Sequence, residues 1–306
     1  MKNKIAIASA LIAASSFSFA EIDLTEAVSV KGFINTVYSD SDTGNADFSV
    51  DEVEISFLFD MGAVSGQIDT QYSVFNDDAF GSFTDTDLDQ AFINYDVFGG
   101  TLTAGLFDSQ LGYEAYEAVD RVTGSTAYSN SQLPGSDPFP GNSGADTGVK
   151  FTKQLDEVSF IGVALVDEGS FIGDEGPAGD TTIEVAYGRD LGNGFNAFVG
   201  FRSDNQSNDL MNAYVTYETG AMTFAAEIVD GETETDLQFL ANYAYSDTAS
   251  VTVRYTTEEG AGTADDIDQI ALAHQIALAD SLMLTTELMD NGADDNEYEF
   301  GVSLLF

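Results

Sequence analysis

The chain has one histidine, no cysteine, and nine basic residues against 53 acidic ones, so the side chains able to do chemistry are few and each can be weighed. His274 is the one group whose ordinary pKa suits acid–base work near neutrality. It alternates with Ile270, Leu272 and Ile276 on one face of an apolar run, and hydrolysis there would need a serine beside it as nucleophile. The neighbours on that face are Leu and Ile, so no enzyme is expected. Without cysteine, neither disulfides nor thiolate metal sites are available. The stretches DNGADDNE (290–297) and TADD (263–266) offer the carboxylates that Ca²⁺ prefers, but neither has the spacing of a dedicated calcium loop. They read as solvated acidic surface, and no metal or cofactor is expected.

The scarce basic residues are more telling. Lys31, Lys150, Arg202 and Arg254 each fall opposite the apolar face of their run, while Arg121 lies in a long irregular stretch with Glu114, Glu117, Asp120 and Asp137. If that stretch folds against a wall carrying the four bases, opposed charges create a transverse field that orients polar solutes. These nine residues are the expected lining of a constriction. The competing arrangement lays the stretch outward as a cap. The net charge of −44 makes nucleic acid an unsuitable partner, since binding phosphates needs a basic surface.

The elements that would position these residues begin after residue 20. Lys2 and Lys4, the apolar run Ile5 to Ala14 and the small-residue site Ser18-Phe19-Ala20 compose a cleaved signal peptide, residues 1–20. Seven basic residues then remain in 21–306. No later apolar stretch is long enough for a membrane-spanning helix, and a hydrophobic content of 43% excludes an acidic disordered chain. Apolar and polar residues alternate with period two in about sixteen runs, each near the ~9–11 residues a tilted strand needs to cross a bilayer. Val53, Ile55, Phe57 and Phe59 share one face of such a run, as do Met222, Phe224, Ala226 and Ile228.

The connections alternate too. Short ones such as Phe98-Gly99-Gly100 and Thr219-Gly220-Ala221 interleave with long acidic ones such as SDSDTGNAD (39–47) and DEGSFIGDEGPAGD (167–180). This asymmetry predicts an all-β fold, a transmembrane antiparallel β-barrel of about sixteen strands over 21–306. The first strand would pair with the last, because unpaired backbone groups find no water in lipid. Tyr95, Tyr187, Tyr217 and Tyr245 would form one interfacial girdle, and Tyr38, Tyr255 and Tyr298 the other. The irregular stretch, 108–147, falls between strands 5 and 6. It is far longer than usual connections, and its aromatic residues argue that it is packed. The alternative reading is a soluble or surface-attached acidic β-protein acting as an adhesin or binding module.

The terminal YEFGVSLLF, with Tyr298, Phe300, Val302, Leu304 and Phe306 in alternation, resembles the C-terminal signature of bacterial outer-membrane proteins. That resemblance implies recognition by the barrel-assembly machinery. Size, strand count and loop order resemble Gram-negative porins, whose constriction loop also lies between strands 5 and 6. GLFDSQLGYEAYE (105–117), then Tyr128-Ser129 and Gly148-Val149-Lys150, are most similar to the OmpL-like β-barrel porin family. LPGSDPFPGNSG (133–144) stands where many general porins carry Pro-Glu-Phe-Gly-Gly. The resemblance implies an exported protein of the Gram-negative outer membrane, in contact with lipid bilayer and lipopolysaccharide, and a homotrimer. The expected function is a water-filled channel for passive diffusion of small hydrophilic solutes and ions, cation-preferring because acids dominate its mouth.

Overall fold

The computed structural model describes residues 21–42, 46–74, 84–114, 119–128, 145–167, 181–203, 209–231, 234–259, 266–290 and 296–306. The signal-peptide reading falls on 1–20, outside them. Sixteen long strands follow in order: β1 (Val28–Ser41), β2 (Asp47–Asp60), β3 (Val64–Val74), β4 (Thr84–Val97), β5 (Gly100–Asp108), β6 (Ala145–Asp156), β7 (Ser159–Asp167) and β8 (Thr181–Gly192). The second half comprises β9 (Phe195–Ser203), β10 (Asp209–Thr219), β11 (Met222–Asp230), β12 (Thr235–Ser246), β13 (Ala249–Glu258), β14 (Ile267–Ala279), β15 (Leu282–Asp290) and β16 (Asn296–Leu305). The irregular stretch between β5 and β6 is therefore 109–144 rather than 108–147, because Asp108 and Ala145 to Thr147 join the ladder, Asp108 opposite Ala145.

Every strand pairs antiparallel with its sequence neighbours, and β16 pairs with β1 from Glu297 opposite Ser41 to Leu305 opposite Phe33. The sheet is thus a closed barrel without a free edge along that seam. Beyond Leu305, Gly32 and Phe306 exchange backbone hydrogen bonds at 2.6 and 2.8 Å. A short segment, Ile22–Asp23, then pairs with Val30 and Ser29. Gly32 must lack a side chain, because a Cβ there would stand 2.4 Å from the Glu54 carbonyl oxygen and 3.0 Å from the Phe306 ring.

Period two sorts the side chains between the two faces of the wall. On β14, Ile270 and Leu272 are 52% and 45% exposed, whereas Ala271 and Ala273 are 1% and 0%. The exposed set around the barrel is apolar, while the buried set includes Glu54, Asp69, Glu184, Asn212, Glu227, Gln238, Arg254 and Glu287. Apolar faces point outward and polar faces inward, the inverse of a water-soluble sheet. Seven tight connections gather at one end of the barrel, where β16 also finishes; the eight longer ones lie at the other. One tight turn joins β4 to β5 through Phe98 and Gly99, both at positive φ (54° and 71°), as a type I′ hairpin turn requires. A non-glycine there is costly, and the side chain kept at that cost is the fully projecting Phe98, 85% exposed.

Candidate functional site

The described part of the β5–β6 segment, 109–114 and 119–128, lies inside the barrel against its inner wall. Space for it is made by inward-facing glycines on β7 and β9, the strands either side of β8. A Cβ at Gly162 of β7 would stand 1.8 Å from Gln110 Oε1, and one at Gly200 of β9 2.0 Å from Leu111 Cδ2. The segment has no ladder to satisfy its backbone N–H groups, and buried ones must find acceptors. Wall side chains supply them. Glu184 of β8 accepts from Gln110 N at 2.7 Å and from Ser109 Oγ at 2.6 Å, Asn212 of β10 from Gly112 N at 3.0 Å, and Glu227 of β11 from Tyr113 N at 2.8 Å. Glu287 of β15 accepts from Gly124 N at 2.7 Å and Ser125 N at 3.2 Å.

Apolar contacts hold the same segment at three places. Leu111, Ala127 and Tyr128 pack with Ala186, Phe198, Leu210 and Val229; Tyr113 and Val122 with Ala225 and Leu240; Val119 with Phe33, Met283 and Leu305. Burial raises both phenols, Tyr113 and Tyr128, above the ordinary tyrosine range, and the nearby carboxylates Glu114 and Glu227 add to it. Tyr128 accordingly stays protonated and donates to Glu227 at 3.3 Å.

Arg254 of β13 closes the arrangement. Its side chain is 1% exposed. Nη1 donates to Glu114 Oε1 at 2.9 Å, Thr123 Oγ1 at 2.7 Å and the Ser125 carbonyl at 2.8 Å. Nη2 donates to Ser125 Oγ at 2.6 Å and the Thr126 carbonyl at 2.7 Å. A planar fork of donors is what distinguishes arginine from lysine at such a junction.

Of the expected site residues, Arg254 and Glu114 are brought together, and Asp120 lies within electrostatic reach of Lys31. Among the described residues, the acids that Arg202 meets belong to the wall. Arg202 is 7% exposed and bonds the wall carboxylates Asp146 at 2.7 Å and Glu184 at 3.5 Å. Lys150 donates to the Asp108 carbonyl at 3.1 Å and stands 4.4 Å over the Phe107 ring. The Arg121 carbonyl accepts from Gln275 at 2.8 Å, and its guanidinium acts on Glu299. Glu117 and Asp137 lie outside the described residues.

The Arg254–Glu114 pair, at 2.9 Å, sets one loop acid against one wall base. Arg254 and Arg202 are both buried and each is in contact with carboxylates. The inner faces of β2 to β4 also carry acids, Glu52, Glu54, Asp69 and Asp89, beside neutral groups such as Ser56, Gln67 and Gln71. Sequence reasoning missed these acids and the loop's receptors Glu184, Glu227 and Glu287. Each except Asp89 is an acid at inward parity, so the test applied to the bases would have found them; Asp89 shares the parity of outward Ile93 and Tyr95 and is turned in by the register shift opposite Asp69 and Thr70. His274 lies on the outer face, its Nε2 2.6 Å from Tyr245 OH. Tyr298, Phe300 and Leu304 of β16 point outward, 49%, 45% and 44% exposed. Among the described residues, no three His, Asp or Glu gather into a group able to hold a metal ion.

No family model and no curated protein matches the chain by sequence. Solved structures do match in fold. A triple mutant of the Rhodopseudomonas blastica porin superposes with TM-score 0.66 at 15% identity, covering 91% of this chain and 100% of that one. Salmonella typhi OmpF, in a complex with daunomycin, gives 0.68 at 11% identity over 94% and 100%. A loop-deletion mutant of OmpT, an outer membrane protein of Vibrio cholerae, gives 0.58 at 14% over 91% and 99%. The architecture is that of the sixteen-stranded porin barrel.

Proposed function

We propose that the protein is an outer-membrane porin, a water-filled channel through which small hydrophilic solutes and ions diffuse passively, narrowed by the β5–β6 loop and preferring cations. The observation that carries this reading is the docking of that loop on the inner wall through Arg254, Glu184, Glu227 and Glu287. A barrel stabilised only as a scaffold has no need of a segment bonded across its own lumen. The outward apolar belt with Tyr95, Tyr245, Tyr255 and Tyr298 at its margins supports a bilayer as surroundings rather than the soluble adhesin reading. The tight turns would then face the periplasm, as the alternation of short and long connections requires. Kinship with the OmpL-like porins rests on GLFDSQLGYEAYE (105–117), and homotrimerisation and recognition of the C-terminal strand by the assembly machinery rest on resemblance.

Conductance of the purified protein in planar bilayers tests the proposal. Discrete channel openings in KCl are expected. A correctly folded barrel, verified by heat-modifiable migration, that carries no current would overturn it.

A further inference from the structure

Two of the seven basic residues of 21–306 stand apart from the barrel interior. Lys31, Lys150, Arg202 and Arg254 have inward parity and Arg121 belongs to the docked segment, whereas Lys153 of β6 and Arg189 of β8 lie on the outer face. Lys153 shares its side of the wall with Val149, 45% exposed, and Arg189 with Ile183, 47% exposed; Thr152 and Glu184, at the opposite parity, are buried. The two bases are also neighbours. Lys153 lies level with Ile161 of β7 and Ile161 with Tyr187 of β8, while Arg189 stands two residues nearer the tight turn, opposite Ser159. Two strand spacings and two residues of rise put their Cα atoms roughly 12 Å apart, a span that two long side chains can close.

Both bases sit where the outer face passes from apolar to polar side chains. Arg189 Nη1 donates to the Tyr187 hydroxyl at 3.4 Å. Lys153 Nζ donates to the Phe98 carbonyl at 3.1 Å, at the root of the ring that projects from the β4–β5 turn. Toward mid-barrel the same face continues through Phe151, Ile161 and Val163, the last 41% exposed. Acids are close as well. Asp156, opposite Ser159, acts on Arg189, but its Oδ1 already accepts from Val158 N at 3.0 Å and Ser159 Oγ at 2.7 Å. Asp190 Oδ1 likewise accepts from Gly192 N at 2.7 Å, and Glu157 is exposed in the turn beyond.

A ligand that uses this whole place is anionic at the rim and apolar next to it. A free anion would meet the bases and leave the apolar column bare, and an uncharged lipid would do the reverse. We infer that Lys153 and Arg189 form a docking site for the phosphate of an anionic phospholipid, whose acyl chains lie along Ile161 and Val163. The charge balance sharpens the inference, because a chain of net charge −44 repels such lipids as a whole. A Lys or Arg at an anionic membrane surface favours association by about fivefold. The inference rests on the outer-membrane reading and adds a headgroup preference at the tight-turn margin.

The chain has no tryptophan, so a single introduced one reports on the lipid beside it. Val163→Trp places the reporter next to the site, and Phe224→Trp on β11, where the outer face has no base nearby, is the control. In vesicles that mix phosphatidylglycerol with phosphatidylcholine, quenching by the brominated form of each gives their relative binding at the reporter. Phosphatidylglycerol should be preferred at least about fivefold at Val163→Trp and not at all at Phe224→Trp. Adding Lys153→Gln/Arg189→Gln to Val163→Trp should bring the preference to about one. If that protein does not insert, Arg189→Gln alone replaces it and should lower the preference severalfold. Equal preference at the two reporters, or a preference unchanged in the variants, overturns the site. Loss of the preference in inorganic phosphate at matched ionic strength assigns the bases to a free anion and overturns the lipid. Quenching by both lipids without preference overturns the site alone, whereas a tryptophan that neither lipid quenches overturns the outer-membrane reading and the site with it.

Discussion

At the scale of single residues, Arg254 shows how far alternation carries a reading and where it stops. Parity puts its side chain on the inner face, because strand side chains change sides at every residue. Nothing in a period of two says that the guanidinium meets Glu114, 140 positions away, or that Glu227 receives the backbone N–H of Tyr113. Those partners depend on the path of a segment with no period at all. Replacing Arg254 by alanine leaves the loop carbonyls of Ser125 and Thr126 without its donors and Glu114 with only Thr123 and the Ala127 N–H. Removing one partner of a buried pair costs about 3–5 kcal/mol, enough to release the loop. Single-channel conductance of Arg254→Ala should therefore rise and become noisier. Arg254→Lys should fall between, since lysine keeps the charge and loses the fork. Wild-type conductance in a folded Arg254→Ala protein would show that the latch does not hold the loop.

At the scale of elements, the strands were legible because three independent signals agree on them: alternation, connection length and the acidity of the longer connections. The loop's bed was not legible, because a bed is made by missing side chains. Gly162 and Gly200 look in sequence like ordinary strand interruptions, which glycine commonly marks. Only the fold shows Gln110 and Leu111 lying where their side chains would be. Gly200→Val should accordingly expel the root of the loop while leaving β9 able to pair. The expected readout is increased protease cleavage between residues 109 and 128, with heat-modifiable migration retained; protection equal to wild type would count against the bed. Deleting 114–140 tests the whole element. A marked rise in conductance is expected if the loop narrows the channel, and unchanged conductance in a folded deletion variant would refute its role as a constriction.

For the whole molecule, charge is the property that composition alone foretells. With 53 acidic and nine basic residues, the proposed channel is expected to concentrate cations by long-range attraction. The effect should depend on salt, because the Debye length falls from about 10 Å at 0.1 M to 3 Å at 1 M. Reversal potentials in a KCl gradient should show cation preference that is strong at low salt and weaker at high salt. Anion preference at low salt would contradict it. Composition does not foretell where the few cations go, and the structure places Arg202 and Arg254 in contact with carboxylates.

The seam between β16 and β1 carries one more consequence. Phe306 stands opposite Gly32 and Ile22 opposite Val30, on the same side of β1 and running in the same direction, with a single register position, that of Lys31, between them. Phe306 and Ile22 thus lie in line as though one strand had been cut. A circular permutant that joins residue 306 to residue 21 through a short linker and opens the chain inside 291–295 should close into the same barrel in detergent, since no pairing is lost. It would no longer end in the aromatic strand, however. Folding of the permutant in vitro together with failure to assemble in cells would separate what the sheet needs in order to close from what the cell needs in order to recognise it.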